Sequence, residues 1–448
     1  GRRDSVPRAL MNFIKAPPVS SAGRITVADC ALLAALYAAT AVVLGKDIAL
    51  GGLADADSAA HAMDGVLIHD WVMAGPSAWR SPMEFARQQY GHYPTLGIGR
   101  HYPPGFAIVE AAFFATFGIS AVSARLCVLF FGLIAITGTF VFVRDLAGRG
   151  AGSLAAMTLL AMPATTLWGR QTMLEVPTLA ALAWGAVTFS WYLRHPSNRR
   201  LSVLLAVSLG AILFKQTGVF LVCAVAMTLT VCAIAKVVRV AHALAATAVA
   251  VVALLLVVLS FDDACFKTLS GYDTYPDPWC LGALTFYLRA LPYLTGSLFL
   301  ALAVLGFAVS WRALGVHWLF LLGWAVVAYL MVTAASLKVP RFYYVGVFPF
   351  AIWAALGLNR LVLLLPKSAA RPALAAVVEQ RPNDVRIEIE LDRVPLSGFQ
   401  AGVGRRHRRG VGRDAVVIIV ADHVVATAGR GLTDASDQRE HERQRERR

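Results

Sequence analysis

Long apolar runs, separated by short polar stretches, recur along the chain up to about residue 365. The stretch 242–261, HALAATAVAVVALLLVVLSF, contains no Lys, Arg, Asp or Glu. About twenty such residues are enough to cross roughly 30 Å of hydrocarbon as a helix. Apolarity on every face, rather than along one stripe, is the mark of a helix surrounded by lipid or by other helices. The pattern predicts spans over 27–45, 121–143, 151–168, 177–193, 201–214, 217–235, 240–260, 284–309, 316–335 and 342–364. The expected fold is therefore an all-α polytopic membrane protein of about ten transmembrane helices.

One apolar segment does not fit this pattern. Residues 103–119, PPGFAIVEAAFFATFGI, begin with two prolines and carry Glu110 near the middle. A carboxylate at the bilayer centre costs on the order of 3 kcal/mol on insertion scales, and a helix lying in the interface avoids that cost. This predicts a juxtamembrane helix within a long first outer loop, 46–120. With 103–119 lying flat, one side of the membrane collects Arg144 and Arg149, then Arg194, Arg199 and Arg200, then Lys236 and Arg239, then Arg312, then Arg360 and Lys367. The N-terminal Arg2, Arg3, Arg8, Lys15 and Arg24 fall on the same side. Short loops rich in Lys and Arg face the cytoplasm. If 103–119 crossed the bilayer, every later loop would change side and the bias would be scrambled.

Composition agrees with the pattern. Of 448 residues, 58% are hydrophobic and 15% charged, against about 25% charged in a soluble chain. Mean hydropathy is +0.62. The net charge of +14 would suggest nucleic acid in a soluble protein. Here it sits in loops that set orientation and in the tail, so no nucleic-acid partner is expected. The predicted organisation is a cytoplasmic segment over 1–26, a transmembrane domain over 27–365 and a basic C-terminal tail over 366–448, read as disordered or as a small appended domain. The basic start reads better as the flank of a retained first span than as a signal peptide. There is no Cys-x-x-Cys or Cys/His metal spacing among the six cysteines. Cys265 and Cys280 share one loop and could pair if that loop faces an oxidising compartment.

The residues that could do chemistry gather on the face opposite the basic loops. ADADSAAHAMDGVLIHDW (54–71) sets Asp57, His61 and Asp64 at near-helical spacing with Asp55 just before, and Asp57 and Ser58 could cap a helix over 59–68. A carboxylate there can take a proton from an attacking hydroxyl, though an acid at a helix start is also an ordinary cap. Arg100 and His101 precede Pro103-Pro104, where a phosphate-binding pair and a simple headgroup contact are equally good readings. Arg170 and Glu175 lie in the short 169–177 link, Lys215 in an almost loopless hairpin, and Lys338 and Arg341 ahead of Phe342, Tyr343 and Tyr344. Arg170, Lys215, Lys267, Lys338 and Arg341 break the orientation rule, and cations such as Lys338 and Arg341 suit phosphate oxygens. No P-loop, HExxH or GxSxG occurs in the transmembrane region, which argues against a nucleotide-driven pump.

The order of these pieces resembles the GT-C superfamily of polyprenyl-phosphate-sugar transferases, in particular the protein O-mannosyltransferases and the aminoarabinose transferase of lipid A (glycosyltransferase family 39 and relatives). The resemblance covers about 50–365. It is carried by DAD at 55–57, HYPPGFAIVEAAFFATFG at 101–118 with Arg125-Leu126, LEVP at 174–177, KQTG at 215–218 and RFYYVGVFP at 341–349. It implies inverting transfer of a sugar from a polyprenyl-phosphate donor to a hydroxyl of a lipid, glycan or protein, at the outer face of a bacterial inner membrane. It also implies that Asp57, with Asp55 close by, activates the acceptor and that Glu175 is a second acidic position. Lys215 and Arg341 would face the phosphate, with Arg100 and His101 near the lipid head. The sequence departs from the family pattern twice: Asp57-Ser58 stands where an Asp-Glu pair is common, so Asp55 or Asp64 could be the base, and Tyr102 stands where Lys usually precedes the prolines. Some superfamily members use a divalent cation such as Mg or Mn, and Asp55 and Asp57 would be its ligands here. The alternative class is a multi-span transporter or lipid flippase, but no internal repeat supports it.

Overall fold

A computed structural model describes residues 25–53, 56–93, 95–98, 102–260, 275, 277, 279–335 and 338–364. Asp55, Arg100, His101, Lys267, the Cys265–Cys280 pairing and the 366–448 tail lie outside the described residues. Among the described residues there is no strand, and the chain is a succession of helices. They are α1 (Val27–Gly45), α2 (Ala56–Met73), the short α3 (Pro76–Trp79) and α4 (Pro82–Gln89), α5 (Gly105–Phe117), α6 (Ala121–Ala147), α7 (Arg149–Ala161) and α8 (Pro163–Gly169). They continue with α9 (Glu175–Arg194), α10 (Asn198–Ile212), α11 (Val219–Ile234), α12 (Val240–Ser260), α13 (Leu281–Thr295), α14 (Ser297–Leu314), α15 (Val316–Ala334) and α16 (Val347–Leu364).

Among the described residues, eight helices are long and apolar enough to cross a membrane, or nine when α7 and α8 count as one span bent by 64°. The bend follows from Pro163. The residue before a proline is driven out of the helical region, and Met162 has φ −65° and ψ 133°. Two expected spans differ. Residues 284–309 form two helices rather than one, because Gly296 at φ +82° ends α13 and starts α14, a backbone state that glycine reaches without strain. The expected 201–214 span is the 15-residue α10, about 22 Å long at 1.5 Å per residue. Over 103–119 the helix is α5, 13 residues long, or about 20 Å.

The bundle closes through small residues. A Cβ on Gly306 of α14 would strike the Trp353 carbonyl, and one on Gly357 of α16 would strike the Leu302 carbonyl. Without a hydrophobic force between helices in lipid, such close backbone approach is what holds them. Two aspartates and three arginines pair at one end of the bundle. Asp29 at the start of α1 accepts from Arg149 at 2.7 Å and pairs with Arg144, while Asp145 pairs with Arg144 and Arg194. From Glu175 to Arg194, α9 runs about 30 Å, so this ionic knot and the site below occupy opposite ends of that helix.

Candidate active site

The helix expected over 59–68 runs from Ala56 to Met73. Asp57 therefore sits inside its first turn and is not the cap. Asp57, His61 and Asp64 lie at i, i+4 and i+7, a spacing that puts them on one face. That face is turned inward: His61 and Asp64 are each 3% exposed. It packs on α5, where a Cβ at Gly65 would run into the Glu110 carboxyl. Glu110 is completely buried, and neither of its oxygens has a hydrogen-bond partner among the described residues. Burial, with the nearby Asp64, pushes its acid well above the ordinary value, so it is held as the neutral acid.

Four charged groups converge above this seam. Asp57 forms an ion pair with Arg341, which stands in the 3₁₀ turn Pro340–Gly346 ahead of α16. Glu175, the first residue of α9, accepts from Lys215 at 2.6 Å, and the N-terminal end of a helix favours an anion. Lys215 is fixed in place because α10 has just ended and the 3₁₀ turn Gln216–Gly218 begins beside it. The Phe342 ring lies within reach of both cations: Lys215 Nζ is 5.8 Å and Arg341 Cζ 5.9 Å from its centroid. Contact with the negative face of an aromatic ring stabilises a cation.

The electrostatics tie the set together. Burial works to raise the Asp57 carboxyl, but Arg341, His61 and Lys215 outweigh it and hold the group below the usual carboxylate range. The His61 imidazole is pulled down to about 4, chiefly because water is excluded, even though Glu175 and Asp57 favour its charged form. It is thus neutral at pH 7. Asp64 is raised to about 6 by burial, against the N–H groups of Ile98 and Gly97, which donate to its Oδ1 at 3.0 and 2.8 Å.

Those two bonds fasten the segment 95–98 to α2. Beyond it, Tyr102 meets the His61 ring edge-on with centroids 4.5 Å apart. Tyr102 also helps to line a largely apolar groove of about 420 Å³ with Ile98, Pro103, Pro104, Ile212, Leu213 and Ser260.

Of the expected residues, Asp57, Glu175, Lys215 and Arg341 therefore meet, and Asp64 lies just beneath them on the same helix face. Arg170 and Lys338 turn elsewhere. Arg170 donates from Nε to the Val43 carbonyl at 2.8 Å, at the end of α1. Lys338, 4% exposed, donates to the Thr333 and Ala335 carbonyls at the end of α15. Both cations cap the negative end of a helix.

Sequence reasoning missed the role of Arg125. Its guanidinium donates to the carbonyls of Ile48, Leu50, Gly51 and Gly52 and so holds the loop that delivers the chain to α2. A buried arginine early in an apolar span was the available signal. As for a divalent cation, the described residues contain no group of three or more His, Cys, Asp or Glu that could hold one. Asp57 is already engaged by Arg341.

Known proteins agree with this architecture. Residues 101–261 match the family described as dolichyl-phosphate-mannose-protein mannosyltransferase. The structure is similar to that of ArnT from Cupriavidus metallidurans bound to undecaprenyl phosphate, with a TM-score of 0.52 and 17% identity, covering 78% of this chain and 63% of that one. It is similar to the apo state of the same protein with a TM-score of 0.51 and 18% identity over the same shares. The chain thus spans about 63% of the length of the structures it matches. No curated protein sequence matches it. The chain is a polytopic integral membrane protein that shares its fold with the ArnT structures, and its residues 101–261 carry the dolichyl-phosphate-mannose-protein mannosyltransferase match.

Proposed function

We propose that the protein transfers a sugar from a polyprenyl-phosphate-linked donor to a hydroxyl of a lipid, glycan or protein acceptor, with inversion, at the outer face of a bacterial inner membrane. The observation that carries this reading is the meeting of two acids and two cations from distant parts of the chain, Asp57 with Arg341 and Glu175 with Lys215. Such a set can serve both ends of a displacement. Cations stabilise the charge that a departing phosphate gains, and a carboxylate accepts the proton of the incoming hydroxyl. The similar ArnT structure holds undecaprenyl phosphate, and the largely apolar groove beside Tyr102 offers a polyprenyl chain a wall to lie against.

The steps then follow from this chain's residues. The acceptor oxygen bonds to the anomeric carbon as that carbon's bond to the phosphate oxygen breaks, and the phosphate keeps the electron pair. Arg341 and Lys215 face that oxygen, and the hydroxyl proton passes to Asp57. Asp57 suits the base role better than Asp64, because its side chain is 31% exposed whereas Asp64 is sealed and occupied by two backbone N–H groups. Holding both substrates in line supplies the entropic part of the acceleration.

The test is transfer from a radiolabelled polyprenyl-phosphate sugar in membranes carrying Asp57→Asn, Glu175→Gln or Arg341→Ala. Loss of about 100-fold or more in the Asp57 variant is expected for a missing base. Full activity in all three variants would refute the assignment. Sidedness is tested by labelling single cysteines at Arg199 and at the exposed Met73, which should react from opposite sides.

A further inference from the structure

The two ion pairs of the site differ in how they are enclosed. In the Glu175–Lys215 pair the side chains are 3% and 9% exposed, whereas in the Asp57–Arg341 pair they are 31% and 22% exposed. The difference decides which pair can exchange partners. Breaking a sealed pair strands a charge away from water, while a partly wetted pair is worth little and is readily traded. Arg341 also has capacity left over, since its Nε–H is buried and finds no acceptor among the described residues.

We infer that Arg341 is a switch: the phosphate head group of the donor takes Arg341 from Asp57, and only then is Asp57 free to act on the acceptor. This rests on the donor reading above and adds an order of events to it. The free protein keeps its base masked by the cation that the donor needs, so the carboxylate is released when a leaving group is in place. Lys215 stays with Glu175 throughout and presents a fixed charge. The phosphodiester of the donor carries one negative charge and two unesterified oxygens, both of which a guanidinium can grip at once. Asp57 carries the same single charge but leaves the Arg341 Nε–H unused, so it is the weaker partner. The segregation also limits idle chemistry, since water near a masked Asp57 finds no free base.

The consequence is opposite to what a simple binding residue would show. Asp57→Asn removes the competitor for Arg341, so the variant should bind the phosphate head group more tightly while failing to transfer. The probes are undecaprenyl phosphate and inorganic phosphate, titrated into purified full-length protein in detergent, with circular dichroism confirming that each variant is folded. Asp57→Ser serves as a second variant if Asp57→Asn does not fold.

We expect Asp57→Asn to lower Kd roughly two- to fivefold, the weight of a partly exposed pair. In an Arg341→Gln background the same change should do nothing, because the competition no longer exists. Equal gains for both probes assign the effect to the phosphate itself, and a gain confined to the lipid assigns it to the membrane-anchored source. Unchanged or weaker binding by Asp57→Asn overturns the switch, and so does an equal gain in the Arg341→Gln background, which would reveal mere charge repulsion. If the wild type binds neither probe, the donor reading falls and takes the switch with it, a result distinguishable from the others.

Discussion

Lys215 Nζ lies 2.6 Å from Glu175 Oε1, and neither side chain is more than 9% exposed. A pair this enclosed weighs on stability mainly when half of it is removed, because the survivor keeps its charge with no water and no partner. Glu175→Gln should therefore cost about 3–5 kcal/mol, read as a fall in thermal midpoint in detergent. Glu175→Gln with Lys215→Met should recover much of the loss. A double variant no better than the single one would show that the pair itself, and not the stranded charge, stabilises the bundle.

Asp64 predicts a pH dependence of definite sign. Its folded value, about 6, stands above that of an unfolded aspartate, near 4. Between these values the folded state binds more protons than the unfolded one, so stability falls as pH rises through this window and is flat above it. Asp64→Asn keeps an oxygen for the Gly97 and Ile98 N–H groups but has no charge to bury. The variant should match the wild type near pH 4 and exceed it in thermal midpoint at pH 7. Asp64 in turn helps to raise the Glu110 carboxyl beside it. A difference that does not change with pH would contradict the assignment.

Arg125 donates to four carbonyls in the loop between α1 and α2. Bonds from a charged donor are worth more than neutral ones, and Arg125 itself is only 9% exposed. Arg125→Ala should lose about 2–3 kcal/mol and should expose residues 46–53 to limited proteolysis. Arg125→Lys should rescue only part of the loss, since a point-like ammonium cannot span the fan of acceptors that a planar guanidinium reaches. Full rescue by lysine would reduce the role to charge alone.

Gly306 and Gly357 set the approach of α14 to α16. Gly306→Ala would force its new methyl into the Trp353 carbonyl, a backbone atom with no rotamer to escape by. Overpacking of this kind costs about 1–3 kcal/mol or more. Gly210, whose Cβ would meet nothing within 4 Å, is the control, and Gly210→Ala in α10 should be neutral or slightly stabilising by helix propensity. Equal thermal midpoints for the two alanine variants would refute the close-packing account.

Much of the architecture was legible because a membrane span is a local property. Twenty apolar residues announce a helix of a given length whatever surrounds it, and α1, α12 and α15 fall within a residue or so of the expected bounds. The failures came where one residue overrode a continuous apolar run. Gly296 divided the expected 284–309 span in two, because hydropathy reads composition and not the backbone angle that a glycine adopts. The start of α2 falls at Ala56 rather than at 59, because Asp57 has the chemistry of a helix cap and of a first-turn acid alike.

The site was legible as a set of residues and not as a set of bonds. Sequence position by itself marked Asp57, Glu175, Lys215 and Arg341 as charges at the ends of apolar helices, a location that is costly without a partner. It gave Arg170 and Lys338 the same mark, and nothing in one dimension separates a cation aimed at a substrate from one aimed at the carbonyls of a neighbouring helix. Solvation and chain length thus determined the class of molecule, the number of helices to within one or two, and the charges worth attention. Tertiary structure decided which acid met which cation, how deeply each pair was sealed, that Phe342 lies against both cations, and that Arg125 holds the loop leading to α2. Partner choice depends on distances of a few ångströms between residues up to 284 positions apart, and such distances exist only once the helices have packed.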